Sequence, residues 1–112
     1  MLKQATVLAK IGAIAGAKVV LEVYYYEVTV DPLSLAAEAG ASLDVTIAGL
    51  ATSDMVFINP GTAIPANFII ASARVSAIDT LTLTFANNNV AGGAAIDIGS
   101  STWKVLVVRP VA

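Results

Sequence analysis

The string Thr80-Leu81-Thr82-Leu83-Thr84-Phe85 alternates without a break, and that alternation commits the backbone to an extended form. Successive side chains of a strand point to opposite faces, whereas a helix brings together positions three and four apart. Leu81, Leu83 and Phe85 therefore share a face that needs cover, and Thr80, Thr82 and Thr84 share one that tolerates water. The same period recurs from Leu43 to Leu50, where Leu43, Val45 and Ile47 oppose Asp44 and Thr46. Val19 to Val30 (VVLEVYYYEVTV) is dominated by strand formers. Asp54–Asn59, Phe68–Ile78 and Trp103–Val108 are further apolar runs. Turn chemistry closes the runs: Asp31-Pro32, Asn59-Pro60-Gly61, Ile78-Asp79-Thr80, the stretch from Asn87 to Gly93, and Arg109-Pro110. Leu35 to Ala39, stopped by Gly40, reads as one helical turn. Six or seven regularly spaced strands without a long helix predict an all-β chain. The expected architecture is an antiparallel β-sandwich or jelly-roll-like domain of six to eight short strands. A chain of 112 residues suffices for one such core.

The first eighteen residues obey the same period. Ala5, Val7, Ala9, Ile11, Ala13, Ala15, Ala17 and Val19 occupy the odd positions, while Gln4, Thr6, Lys10 and Lys18 fall on even ones. On a helical wheel the lysines would share a side with Val7, Ile11 and Ile14, which makes a poor amphipathic helix. Residues 1–18 are thus expected to form an extended N-terminal arm, with residues 19–112 as the single sandwich domain. The arm would lie on a neighbour through its apolar face, Val7 and Ile11 in particular, with Lys3, Lys10 and Lys18 meeting acidic groups.

Composition narrows the chemistry. Six Lys and Arg stand against eight Asp and Glu, and pI ≈ 4.7 supplies no basic field for nucleic acid. Cys and His are absent, which removes thiolate chemistry, disulfides, the commonest metal ligand and the commonest base near neutral pH. The carboxylates form no calcium-loop pattern. Asp44, Asp54 and Asp79 sit where side-chain caps of turns are routine. No serine has a triad partner, and Gly92-Gly93 lacks the Lys and helix of a phosphate loop. No enzyme activity and no cofactor or metal are expected.

Apolar residues make up 57 % of the chain, which raises the question of a membrane. Met55 to Ala73 is free of charge but holds Pro60, Pro65, Asn59, Asn67 and Gly61, a poor spanning segment. Thr80 to Ile96 fails on its Thr, Asn and Gly content. Lys10 interrupts the apolar stretch that a leader at Met1 to Lys18 would need. No membrane partner is expected.

Two strings point to contacts. Tyr24-Tyr25-Tyr26 places Tyr24 and Tyr26 on one face of a strand and Tyr25 on the other. Either the pair forms a strip for sugars or proteins, or Tyr25 is core, with Leu21 and Val23, and the pair sits at a sheet rim. In Trp103-Lys104-Val105-Leu106-Val107-Val108 the apolar residues stop alternating, so both faces of that strand are covered. The second cover is another subunit or the domain's own loops. Candidate oligomer or partner contacts are therefore Val7, Ile11, Tyr24, Tyr26, Trp103, Val105 and Val107.

Further strings carry a resemblance. Arg74 to Thr84 (RVSAIDTLTLT) is preceded by DMVFINP at Asp54–Pro60 and followed by WKVLVVR at Trp103–Arg109, with Val30-Asp31-Pro32, Ser34 and Ala36-Ala37 upstream. Over residues 28–109 the chain resembles small β-rich structural proteins of tailed-bacteriophage virions, of the capsid decoration (cement) kind. The resemblance implies a non-enzymatic protein, made in the cytoplasm of a bacterial host, that binds the outer surface of the capsid shell. Its partners would be the major capsid protein and copies of itself, as a homotrimer. Alternatives are another virion component (tail, head-fibre or adaptor subunit) and a carbohydrate-binding β module.

Overall fold

A computed structural model describes residues 3–14 and 17–111, with side chains from 22 to 110. Seven strands follow in order: β1 (Lys3–Ile14), β2 (Ala17–Val30), β3 (Gly40–Thr46), β4 (Met55–Asn59), β5 (Phe68–Ala77), β6 (Thr80–Asn87) and β7 (Ser101–Val111). They form two antiparallel sheets, one ordered β1-β2-β7-β4 and the other β3-β6-β5. The expected all-β sandwich is the observed class, and no helix occurs among the described residues. The expected helical turn at Leu35–Ala39 is absent. Leu35 instead bridges to Ile96, and Ala39 N–H donates to the Ala36 carbonyl at 3.0 Å across a turn with Glu38 at φ 64°.

The inner faces follow the alternation. Leu81, Leu83 and Phe85 of β6 are buried, as expected. Leu43 and Val45 pack partly against them, and Ile47, just beyond β3, is fully buried. From the facing sheet come Tyr26, Val28 and Val30 of β2 and Trp103, Val105 and Val107 of β7. Phe85 joins the two layers. Its ring lies 6.1 Å from Trp103 in an edge-on arrangement and 5.5 Å from Phe68, within the usual range for aromatic pairs.

β5 shows why its sequence alternates poorly. A bulge between Ile70 and Ser72, and another between Val75 and Ala77, each add a residue opposite β6. The first moves the inward set from Phe68 and Ile70 to Ala73 and Val75, because an extra residue reverses the parity of everything after it.

Turns hold the layers in place. Asp79, in the left-handed region at φ 61°, accepts from Gly49 N–H at 2.8 Å, and its carbonyl accepts from Ile47 N–H at 2.9 Å. Gly49 has φ 96°, which a side chain would strain. At Asn59-Pro60-Gly61 the chain presses so close to β7 that a Cβ on Gly61 would lie 1.9 Å from the Thr102 carbonyl oxygen. Buried Asn87 secures the long loop before β7, its amide donating to the Leu35 and Ala94 carbonyls at 2.9 and 3.0 Å.

The N-terminal segment is extended, but its strand partner lies within the chain. β1 runs antiparallel to β2 from Lys3↔Glu27 to Ile11↔Val19. Main-chain groups expected to await a neighbour's sheet edge are therefore already paired along one side. Because β2 begins at Ala17, the boundary expected after residue 18 falls inside a strand.

Candidate interaction surface

The register builds an outer face on the β1-β2-β7-β4 sheet. Three rows cross β2, β7 and β4: Val23–Val108–Met55, Tyr25–Leu106–Phe57 and Glu27–Lys104–Asn59. β1 extends them, pairing Val7 with Val23, Ala5 with Tyr25 and Lys3 with Glu27. Two adjacent rows are thus apolar across β2, β7 and β4. Phe57 is 58 % exposed, Met55 49 % and Leu106 40 %, while Val23, Tyr25 and Val108 are half-buried. The other sheet is chiefly polar outside. There Ser42, Asp44, Thr46, Thr80, Thr82, Thr84 and Arg74 occupy outward positions, and the one large apolar side chain of its strands more than a third exposed is Ile69, at 42 %. Thr82 donates to Asp44 at 2.7 Å and lies 2.6 Å from the Ser76 hydroxyl, and Ser42 pairs with Thr84 at 3.3 Å.

This placement corrects the contacts expected from sequence. Tyr26 is 1 % exposed and Trp103, Val105 and Val107 are 0 % exposed. All four face the protomer's own core and offer nothing to a neighbour. Tyr24 is half-buried against that core. A Tyr24–Tyr26 stacking strip is therefore absent, and so is a Tyr25 core, since Tyr25 lies on the outer face opposite Leu106. The side chains of Val7 and Ile11 lie outside the described residues. The unalternating run of β7 has one face in the core and the other, Leu106 and Val108, on the outer surface. Sequence reasoning missed Phe57 and Met55. Their signal was present, since VFI in β4 is also apolar on both faces.

One polar cluster closes the end of the core. Arg109 grips Asp54 through two hydrogen bonds, Nε to Oδ1 at 2.6 Å and Nη2 to Oδ2 at 2.8 Å, and Nη2 also reaches the Gly49 carbonyl at 2.6 Å. The guanidinium sits 5.0 Å over the Tyr24 ring and 3.9 Å from Glu22, to which the Tyr24 hydroxyl donates. Burial alone would push the Asp54 carboxyl up. The Arg109 donors and the Ala51 N–H outweigh it and hold the group below the usual carboxylate range. The Tyr24 hydroxyl is pushed up chiefly by its bond to Glu22. The Arg109 guanidinium is held more firmly protonated by Asp54. Both Asp54 oxygens and the Gly49 carbonyl are matched by donors, so the cluster serves to tie β7 to the loop before β4. Asp54 and Asp79 are the turn caps their positions suggested.

Among the described residues no three His, Cys, Asp or Glu side chains gather where a metal ion would bind, and no helix is long and apolar enough to cross a membrane. No family model, curated protein or solved structure matches the chain.

Proposed function

We propose that this chain is a non-enzymatic structural protein of a tailed-bacteriophage virion, a capsid decoration protein that binds the outer surface of the shell as an oligomer and stabilises it. The observation that supports this reading is the inequality of the two outer faces. One is a hydroxyl-rich surface suited to water, the other an apolar surface suited to permanent contact, whose cores are depleted of charge. The resemblance over residues 28–109 supplies the particle, with the major capsid protein as partner.

Electron cryo-microscopy of the source particle tests it. A decoration protein occupies sites repeated over the whole shell, in hundreds of copies. Density confined to the tail axis, in tens of copies, would replace this reading with that of a tail or adaptor subunit. Rebinding of the purified protein to shells stripped of it is the companion measurement.

A further inference from the structure

We infer that β1 is an exchanged strand: in a pair of chains related by a two-fold axis, β1 of each copy lies on β2 of the other, in the register that the single chain shows within its own hairpin.

The first argument is register. β1 and β2 keep one unbroken register from Lys3↔Glu27 to Ile11↔Val19. The closing pair, Ile14↔Ala17, departs from it by one residue. The single chain turns back there and gives up the register. Carried on unchanged, the same register would set position 14 opposite position 16 and position 15 opposite itself. No single chain can pair a residue with itself, whereas two copies do so on a two-fold axis.

The second argument is turn chemistry. Two-residue hairpin connections favour Asn-Gly or Asp-Gly, or a leading Gly, because the turns that match the strand twist need positive φ at the first central position. The two residues between Ile14 and Ala17 are Ala15 and Gly16. The order is unfavourable, with alanine first, where a Cβ disfavours positive φ. Short connections under such strain invite exchange between copies.

The third argument is support. β2 is the one strand partner of β1. β7 reaches Val111, opposite Val20, and beyond that row the described part of the hairpin consists of two strands alone. A two-stranded ribbon is marginal in water, so this end parts at little cost. The strand whose fit to the edge of β2 the structure displays is β1 itself, and a second copy brings the same strand. Exchange of an identical element restores every β1–β2 pair and leaves each sandwich as it is. The two bodies also clear each other. Val20 pairs with position 10, so along the continued ribbon the Val20 rows of the two copies lie roughly 34 Å apart, at about 3.4 Å per residue.

This inference goes beyond the proposed function, and its tests use the free protein, so the two stand or fall separately. Light scattering after gel filtration at tens of micromolar should give about 23 kDa, twice the single-chain mass of 11.4 kDa. Ala15→Asn, which supplies the Asn-Gly that a closed hairpin favours, should raise the dissociation constant of the pair at least tenfold in sedimentation equilibrium.

The chain has no cysteine, so an introduced cross-link reports which chain supplies β1. Directly opposed residues of an antiparallel pair lie within disulfide reach. Val7→Cys with Val23→Cys, opposed in the register, should oxidise at tens of micromolar to a two-chain species on a denaturing, non-reducing gel. Adding Ala15→Asn should return the cross-link to single chains. Cross-links confined to single chains without Ala15→Asn, a single-chain mass for the unaltered protein, or a pair that Ala15→Asn does not weaken overturns the inference. A three-chain mass overturns the two-fold exchange in favour of the homotrimer that the resemblance implies.

Discussion

The two sheets bury comparable inner faces, yet their outer faces have opposite character. On β3-β6-β5 the outward side chains are chiefly Ser, Thr and Asp, bonded to one another in cross-strand pairs, with Arg74 and an exposed Ile69 on β5. On the other sheet two adjacent rows across β2, β7 and β4 are Val, Tyr, Leu, Phe and Met, beside the polar row Glu27–Lys104–Asn59, and Met55, Phe57 and Leu106 are more than a third exposed. The inner faces do not explain this, since either sheet would fold against the other with a wet exterior. On the proposed reading, the difference reflects what lies beyond the protomer. A Thr-rich exterior satisfies its own hydroxyls, and an apolar one gains only when something removes it from water.

Substitutions that cross this divide should separate in size. Phe85→Ala, which empties the junction of Phe68 and Trp103, should cost about 3–5 kcal/mol, a large share of the stability of a small domain, read by denaturant titration at low protein concentration. Equal losses from Phe85→Ala and from an outer-face change would show that the assigned faces are wrong.

Asp54→Ala should come next, at about 3 kcal/mol. That is the low end for breaking a buried pair, because a quarter of the Arg109 side chain meets water. The same pair predicts an acid dependence. The folded Asp54 carboxyl titrates below its unfolded value, so its stabilisation is complete above the ordinary carboxylate range and disappears as pH falls through the lower folded value. Asp54→Asn should flatten the acid limb of the stability curve below about pH 4, and an unchanged limb would remove Asp54 as its source.

Phe57→Ala should change the stability of the free protein by less than about 1 kcal/mol while weakening, on the proposed reading, its rebinding to stripped shells at least tenfold, about 1.4 kcal/mol. A binding titration on such shells measures the affinity. Smallest of all, Thr82→Ala on the wet sheet should cost about 0.5–1 kcal/mol through its lost bonds to Asp44 and Ser76, with no effect on rebinding. A rebinding defect here would erase the distinction between the two exteriors.

Much of this was legible in the chain itself. The runs from Phe68 to Ile78, Thr80 to Phe85 and Trp103 to Val108 coincide closely with β5, β6 and β7, because strand formers bounded by Pro, Asn and Gly act locally. The buried face of β6 was legible for the same reason. The surface was harder. Trp103, Val105 and Val107 looked like contacts because the run from Val105 to Val108 is apolar without alternation, and they proved to be core. Leu106, one position away in the same run, carries the outer face. Tyr26 rather than Tyr25 turned inward. The Arg109–Asp54 clamp joins residues separated by 55 positions, and no local pattern marks such a pair.

Alternation within a strand determines which residues share a face, since neighbouring side chains of an extended backbone must diverge. By itself, then, the sequence established the strands, their turns and the inward set wherever one face is polar, as in β3 and β6. Where both faces are apolar, as in β4 and β7 and across the tyrosines of β2, either parity satisfies the local pattern. Only the tertiary structure decided there. The register of β7 between β2 and β4 brings Trp103 beside Val28 and Val105 between Tyr26 and Ile58, on the side that meets Phe85. A shift of one residue would exchange the buried and exposed sets entirely, and the packing of Trp103 against Phe85 selects between them through contacts between residues far apart in the chain.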